Sequence, residues 1–196
     1  AMQTGWLSKG GSWYWLDPDS GAMATGWEKA SDGKWYYFEG SGAMRSGGWM
    51  KQGSSWYYLS GSGAMQTGWL SKGGSWYWLD PDSGAMATGW EKASDGKWYY
   101  FEGSGAMQSS RWLKQGTAWY YLSGSGAMQT GWLLTGGAWY WMDPESGMMA
   151  TGWLENGGSW YYLDPSSGAM ATGTAVIDGT RYIFDDSGAC ADFVDE

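Results

Sequence analysis

The chain has 196 residues, a net charge of −9 and an unusual apolar content of 19 Trp, 14 Tyr and 4 Phe against 11 Leu, 2 Ile and 2 Val. Acidity argues against a nucleic-acid partner, and the lack of any His removes the commonest general base and metal ligand. A single cysteine, Cys190, allows no intrachain disulfide, while 35 glycines exclude long helices and no apolar run reaches the ~20 residues of a membrane span.

From the N-terminus, Thr4-Gly5-Trp6-Leu7-Ser8-Lys9 reads as a strand, Gly10-Gly11 as a tight turn and Trp13-Tyr14-Trp15-Leu16 as the returning strand. Asp17-Pro18-Asp19-Ser20-Gly21 is dense in turn residues and closes the unit. The next unit repeats the grammar with Trp27, a Ser31-Asp32-Gly33 turn and Trp35-Tyr36-Tyr37-Phe38. Trp49, Trp69, Trp90, Trp112, Trp132 and Trp153 open further units at steps of 20 to 22 residues, and a degenerate ninth unit lies at Thr174–Phe184. Above this period sits a longer one: AMQTGWL returns at offsets of 63, and residues 1–63 differ from 64–126 at only six positions. A lone hairpin is marginal in water, so these units are expected to stack and share a core. Alternation along each second strand puts its first and third rings on one face and the middle Tyr on the other.

The grammar Gly26-Trp27, Trp35-Tyr36-Tyr37, Gly42-Ala43-Met44, recurring eight times, closely resembles the choline-binding (cell-wall-binding) repeats of Gram-positive surface proteins and autolysins. The resemblance implies an all-β fold, a left-handed β-solenoid of stacked hairpins with about three hairpins per turn. It also implies a ligand: choline or phosphocholine of teichoic or lipoteichoic acid, held in aromatic cages between consecutive hairpins. A quaternary ammonium has no hydrogen-bond donor, so ring faces within about 6 Å suit it.

Carried onto this sequence, the expected cages are Trp6 and Trp13 with Tyr37, Trp27 and Trp35 with Tyr58, Trp49 and Trp56 with Trp78, and Trp69 and Trp76 with Tyr100. Then come Trp90 and Trp98 with Tyr121, Trp112 and Trp119 with Trp141, and Trp132 and Trp139 with Tyr162. The third ring is chosen because it shares the face of the Trp, and the middle Tyr is the competing choice. An eighth pair, Trp153 and Trp160, would meet Ile183 and so form a weak cage or none. Trp78 and Trp141, in place of Tyr, are expected to narrow the third and sixth cages. Met23, Met44, Met65, Met86, Met107, Met128, Met149 and Met170 read as gap fillers in preference to ligand contacts, and Asp17, Asp19, Asp80 and Asp82 as turn formers.

Carboxylate pairs such as Asp143 and Glu145 sit in repeated turns, whereas an active site is unique, so no catalytic residue, metal or cofactor is expected. The reading is a non-catalytic wall-attachment module, residues 1–173, with a closing segment at 174–196. The chain opens inside a Gly-Ala-Met motif, as an excised module of a longer secreted protein of the cell surface would. A glucan-binding repeat of a secreted glucosyltransferase or toxin and a passive stalk are the rival readings. Paired Trp seven or eight residues apart in every unit favour the cage.

Overall fold

The protein is described by a computed structural model over residues 2–194, with side chains through residue 191. Among the described residues every named element is a β-strand. Two compact units divide the chain, the first Ala1–Gly96 with Tyr100–Met107 and the second Lys97–Tyr99 with Gln108–Glu196. The first holds the antiparallel hairpins β1 (Gly5–Lys9) with β2 (Ser12–Leu16), β3 (Gly26–Lys29) with β4 (Trp35–Phe38), β5 (Gly48–Gln52) with β6 (Ser55–Leu59) and β7 (Gly68–Lys72) with β8 (Ser75–Leu79). A fifth sheet joins β9 (Gly89–Lys92) and β10 (Trp98–Phe101). In the second unit follow β11 (Arg111–Gln115) with β12 (Ala118–Leu122), β13 (Gly131–Thr135) with β14 (Ala138–Met142) and β15 (Gly152–Asn156) with β16 (Ser159–Leu163). The degenerate ninth unit also forms a hairpin, β17 (Gly173–Ile177) with β18 (Thr180–Phe184), and β19 (Cys190–Val194) adds a third strand to it.

The tight turns follow from their glycines. Gly10 and Gly11 have φ of 60° and 80°, the left-handed pair that a two-residue turn needs to match the twist of its strands. Register then places Trp6 opposite Trp15 and Ser8 opposite Trp13, so Trp6, Trp13 and Trp15 share one face of the hairpin, while Leu7 and Tyr14 share the other. The loop after each hairpin is closed from within. Asp17 Oδ1 accepts the Ser20 amide at 2.7 Å and the Ser20 hydroxyl at 2.6 Å, and the Asp17 amide donates to the Ala22 carbonyl at 2.8 Å.

Within each unit the hairpins stack head to tail. Trp6 lies edge-on to Tyr36 of the next hairpin at 4.8 Å between ring centroids, and Trp27 to Tyr57 at 5.0 Å. The backbone ties the same seam. After each of the first eight hairpins one Met forms an isolated bridge to the end of that hairpin's second strand, as Met44 does with Phe38. Its amide donates backwards to the preceding hairpin: Met44 to the Trp13 carbonyl at 2.7 Å, Met65 to Trp35 at 2.8 Å and, in the second unit, Met149 to Trp119 at 2.8 Å.

The core mixes aromatic with aliphatic side chains. Its closed column consists of the last residue of the second strands: Phe38, Leu59, Leu79 and Phe101 in the first unit, Leu122, Met142, Leu163 and Phe184 in the second, all at most 2% exposed. The indoles that open the second strands stay 38–50% exposed, from Trp119 to Trp160. Rings at other positions are nearly as closed, Trp15 and Trp78 at 3% and Tyr36 and Tyr99 at 6%, and Met50 joins Leu59 as a second enclosed side chain of its hairpin.

The side chains of Met23, Met44, Met65 and Met86 in the first unit and of Met128, Met149 and Met170 in the second are each capped by a glycine of the following loop. At Gly63 φ is +88°, and an added Cβ would stand 2.6 Å from Met44 Sδ and Cε and 3.2 Å from the Arg45 carbonyl oxygen. Gly61 has open space around it. Gly63→Ala is therefore expected to cost about 1–2 kcal/mol from the left-handed backbone alone. Gly61→Ala should change stability by less than about 0.5 kcal/mol. Thermal melts followed by Trp fluorescence check both.

Candidate functional site

A recess opens at each of the first three seams. Trp6 and Trp13 line the first with Tyr36 and Met44, Trp27 and Trp35 the second with Tyr57 and Met65, and Trp49 and Trp56 the third with Tyr77 and Met86. The cavities measure about 460, 260 and 300 Å³. Trp6 and Trp13 stand at 88° with centroids 6.1 Å apart, so two perpendicular ring faces form a corner, and the Tyr of the next hairpin makes the third side.

The same box of rings recurs in the second unit. Trp112 and Trp119 are 6.5 Å apart at 89°, with Tyr140 at 4.9 Å from Trp112. Trp132 and Trp139 are 6.4 Å apart, with Tyr161 at 4.9 Å from Trp132.

The paired tryptophans of these seams are thus brought together, but the third wall is not the ring chosen from the sequence. Tyr37, Tyr58, Trp78, Tyr100, Tyr121, Trp141 and Tyr162 each pack on the first Trp of their own hairpin, at 5.1–5.4 Å from Trp27, Trp49, Trp69, Trp90, Trp112, Trp132 and Trp153. The cause is the direction of stacking. Head-to-tail contact joins opposite faces of successive hairpins, as any heterologous interface does, so the Trp face of one meets the middle-Tyr face of the next. Tyr37 faces the following hairpin, where its hydroxyl donates to Gln52 Oε1 at 3.2 Å.

Two further expectations change with this. Trp78 is turned into its own hairpin, 3% exposed, and does not narrow the third recess, whose wall is Tyr77. At the eighth pair Ile183 is not the facing residue. Tyr182 lies 4.8 Å from Trp153, and Trp153 is 6.4 Å from Trp160, so that seam has the same three rings as the others. Met44, Met65 and Met86 fill space under the loop glycines and also line the recesses, uniting the two roles set against each other in the sequence.

These rings already attract cations of the chain itself. Lys51 Nζ lies 5.9 Å from the centroid of Trp56, its cross-strand neighbour, and Lys114 Nζ 5.3 Å from that of Trp119. The arrangement can hold a compact cation by its ring faces.

The sequence matches the model of the choline-binding repeat over residues 46–89, 83–112, 113–151 and 145–174, and that of a putative cell wall binding repeat over 4–23 and 25–44. The chain belongs to the choline-binding repeat family. Its fold is similar to that of the choline-binding domain of CbpL from Streptococcus pneumoniae, with TM-score 0.71 and 30% identity over 99% of this chain and 100% of that one. CbpJ from Streptococcus pneumoniae TIGR4 gives TM-score 0.68 and 31% identity over 96% and 88%. The modular autolysin LytC of the same species gives 0.61 and 31% over 98% of this chain but only 47% of LytC. No curated protein matches in a sequence search.

The first cage of this choline-binding array has one polar feature the second and third lack. The Tyr36 phenol donates to Asp32 Oδ2 at 2.8 Å. Burial, then the bond to Asp32 and its charge, push the Tyr36 phenol up to about 12, and the same bond holds Asp32 below the usual carboxylate range. A folded-state value raised above the unfolded one near 10 gives stability that is complete below pH 10 and lost as pH rises towards 12. Tyrosine absorbance titration should show one phenol fewer ionising near pH 12 in Tyr36→Phe, and the variant's stability should fall less between pH 10 and 12.

Proposed function

We propose that the chain binds the choline head groups of phosphocholine on teichoic or lipoteichoic acid and so attaches a secreted parent polypeptide to a Gram-positive cell wall. The observation that carries this reading is the three-ring box at the hairpin seams, with Trp13, Trp35 and Trp56 at least 40% exposed in a molecule that buries other large side chains completely. Exposed indoles at right angles offer face contacts to a trimethylammonium group from several directions, each worth roughly 0.5–2 kcal/mol. The relative described as a choline-binding domain, CbpL, supports the reading by its complete overlap with this chain.

The working residues are Trp6, Trp13, Tyr36 and Met44, then Trp27, Trp35, Tyr57 and Met65, then Trp49, Trp56, Tyr77 and Met86, with the ring boxes of the second unit beside them. No residue acts as an acid, base or nucleophile, and the array does no chemistry of its own. A ligand of seven heavy atoms gains modest affinity from one cage, on the order of millimolar. Several cages on one polymer raise the overall affinity by roughly 10²–10⁴-fold.

Titration calorimetry with choline should give saturable binding, and glucose oligomers none; the reverse would assign the array to glucans. Tyr57→Ala should lower the number of choline sites by one, or weaken one site about tenfold, from loss of a ring face. Tyr58→Ala should keep every site and lower stability only.

A further inference from the structure

The first three cages share their rings but not their mouths. Ser46, Gly61 and Ser62 edge the first, Gly103 and Ser104 the third, and Asp82 and Ser83 the second. Apart from Ser46, the edge comes from the loop that follows the third hairpin counted from the paired tryptophans, so a cage is a composite of three successive repeats. Counted back from the left-handed loop glycines Gly63, Gly84 and Gly105, the residue two places earlier is Gly61, Asp82 and Gly103. One position of the repeat therefore sets the charge at the mouth.

The loop that carries Asp82 is held by another residue. Asp80 Oδ1 accepts the Ser83 amide at 2.7 Å and the Ser83 hydroxyl at 2.6 Å, and the Asp80 carbonyl accepts the Gly84 amide at 2.8 Å. Those bonds, the Ser83 hydroxyl first, hold the Asp80 carboxyl below its ordinary range. Asp82 is exposed on the same loop and lines the second cage.

We propose that Asp82 makes the second cage selective for quaternary ammonium ions without a neighbouring anion, whereas the first and third cages accept phosphocholine. The proposal rests on the choline reading above. In phosphocholine two carbons separate nitrogen from phosphate, so an ammonium seated among the rings leaves its phosphate at the mouth. There it meets a carboxylate in the second cage and only serines and a glycine in the first and third. Like charges about 6 Å apart near water's dielectric weaken binding by a factor of about three to ten at low salt. The same carboxylate favours an unsubstituted choline cation. In the second unit the corresponding positions, two before Gly168 and Gly188, are Ser166 and Asp186, again one neutral and one acidic.

The test is crystals of the intact chain soaked at graded concentrations of choline or phosphocholine in low salt, with occupancy read cage by cage. Phosphocholine should half-fill the second cage at a concentration about three- to tenfold above that for the first and third, and choline should show no such lag. Asp82→Asn should abolish the lag, and Gly61→Asp should create one in the first cage, where open space surrounds the glycine. Equal filling of all three cages by phosphocholine, or a lag that survives Asp82→Asn, would overturn the selector and leave the choline reading standing. Cages empty in both soaks would overturn the choline reading and the selector together.

Discussion

The structure depends on one joint, the edge-to-face meeting of a tryptophan on one hairpin with the middle tyrosine of the next, at 4.8–5.0 Å wherever it is seen within a unit. A two-stranded hairpin of five-residue strands buries too little to persist in water. Here it gains a neighbour through that ring contact and through the Met amide that donates to the preceding hairpin's Trp carbonyl. Both contacts are directional and neither is symmetric, so the hairpins can only follow one another head to tail. The enclosed column of single Leu, Met or Phe residues is a consequence of that stacking.

The joint is also the candidate site. Edge-to-face geometry leaves ring face uncovered, because one ring of the pair presents only its rim to the other. The second Trp of the hairpin, set at right angles to the first, turns that remaining face into a corner. A core that covered these rings completely would be a better-packed protein with no cage. The half-exposed indoles are thus a stability deficit held in reserve, and a ligand that binds only the stacked state offsets it in proportion to RT ln(1 + [L]/Kd) per site.

Much of this was legible in the sequence. The periods, the Gly-Gly and Asp-Gly turns, the strand pairs and the paired tryptophans all lie within one hairpin, where alternation and turn chemistry decide. What failed lay between hairpins. Alternation tells which rings share a face of Trp27 and Tyr37, but not which face meets the next unit, and Tyr36 was passed over for that reason. A signal was present: the middle position is Tyr in all nine hairpins, from Tyr14 to Tyr182, whereas the third position varies among Trp, Tyr and Ile183. A residue that must fit its neighbour's tryptophan edge-on tolerates less change than one packed inside its own hairpin. The same ambiguity governs the eighth seam, where Tyr182 and not Ile183 meets Trp153. The mouths of the cages were beyond reach, because Asp82 serves Trp27 and Trp35 across more than 45 residues of chain.

Composite cages also change what repetition means for this chain. Blocks of 63 residues that are almost identical suggest almost identical sites, yet the second and third cages combine parts of the first block with parts of the second. The first three cages draw their paired tryptophans from three hairpins with different turns, Gly10-Gly11, Ser31-Asp32-Gly33 and Gly53-Ser54, and their mouths from loops of different charge. Tyr36 owes its bond with Asp32 to the second of those turns, and the wall rings Tyr57 and Tyr77 come from hairpins whose turns carry no acid. Near-identical repeats can in this way build a set of graded cages, with the ring box held constant by the joint and the electrostatics varied in the loops, where substitution costs little stability.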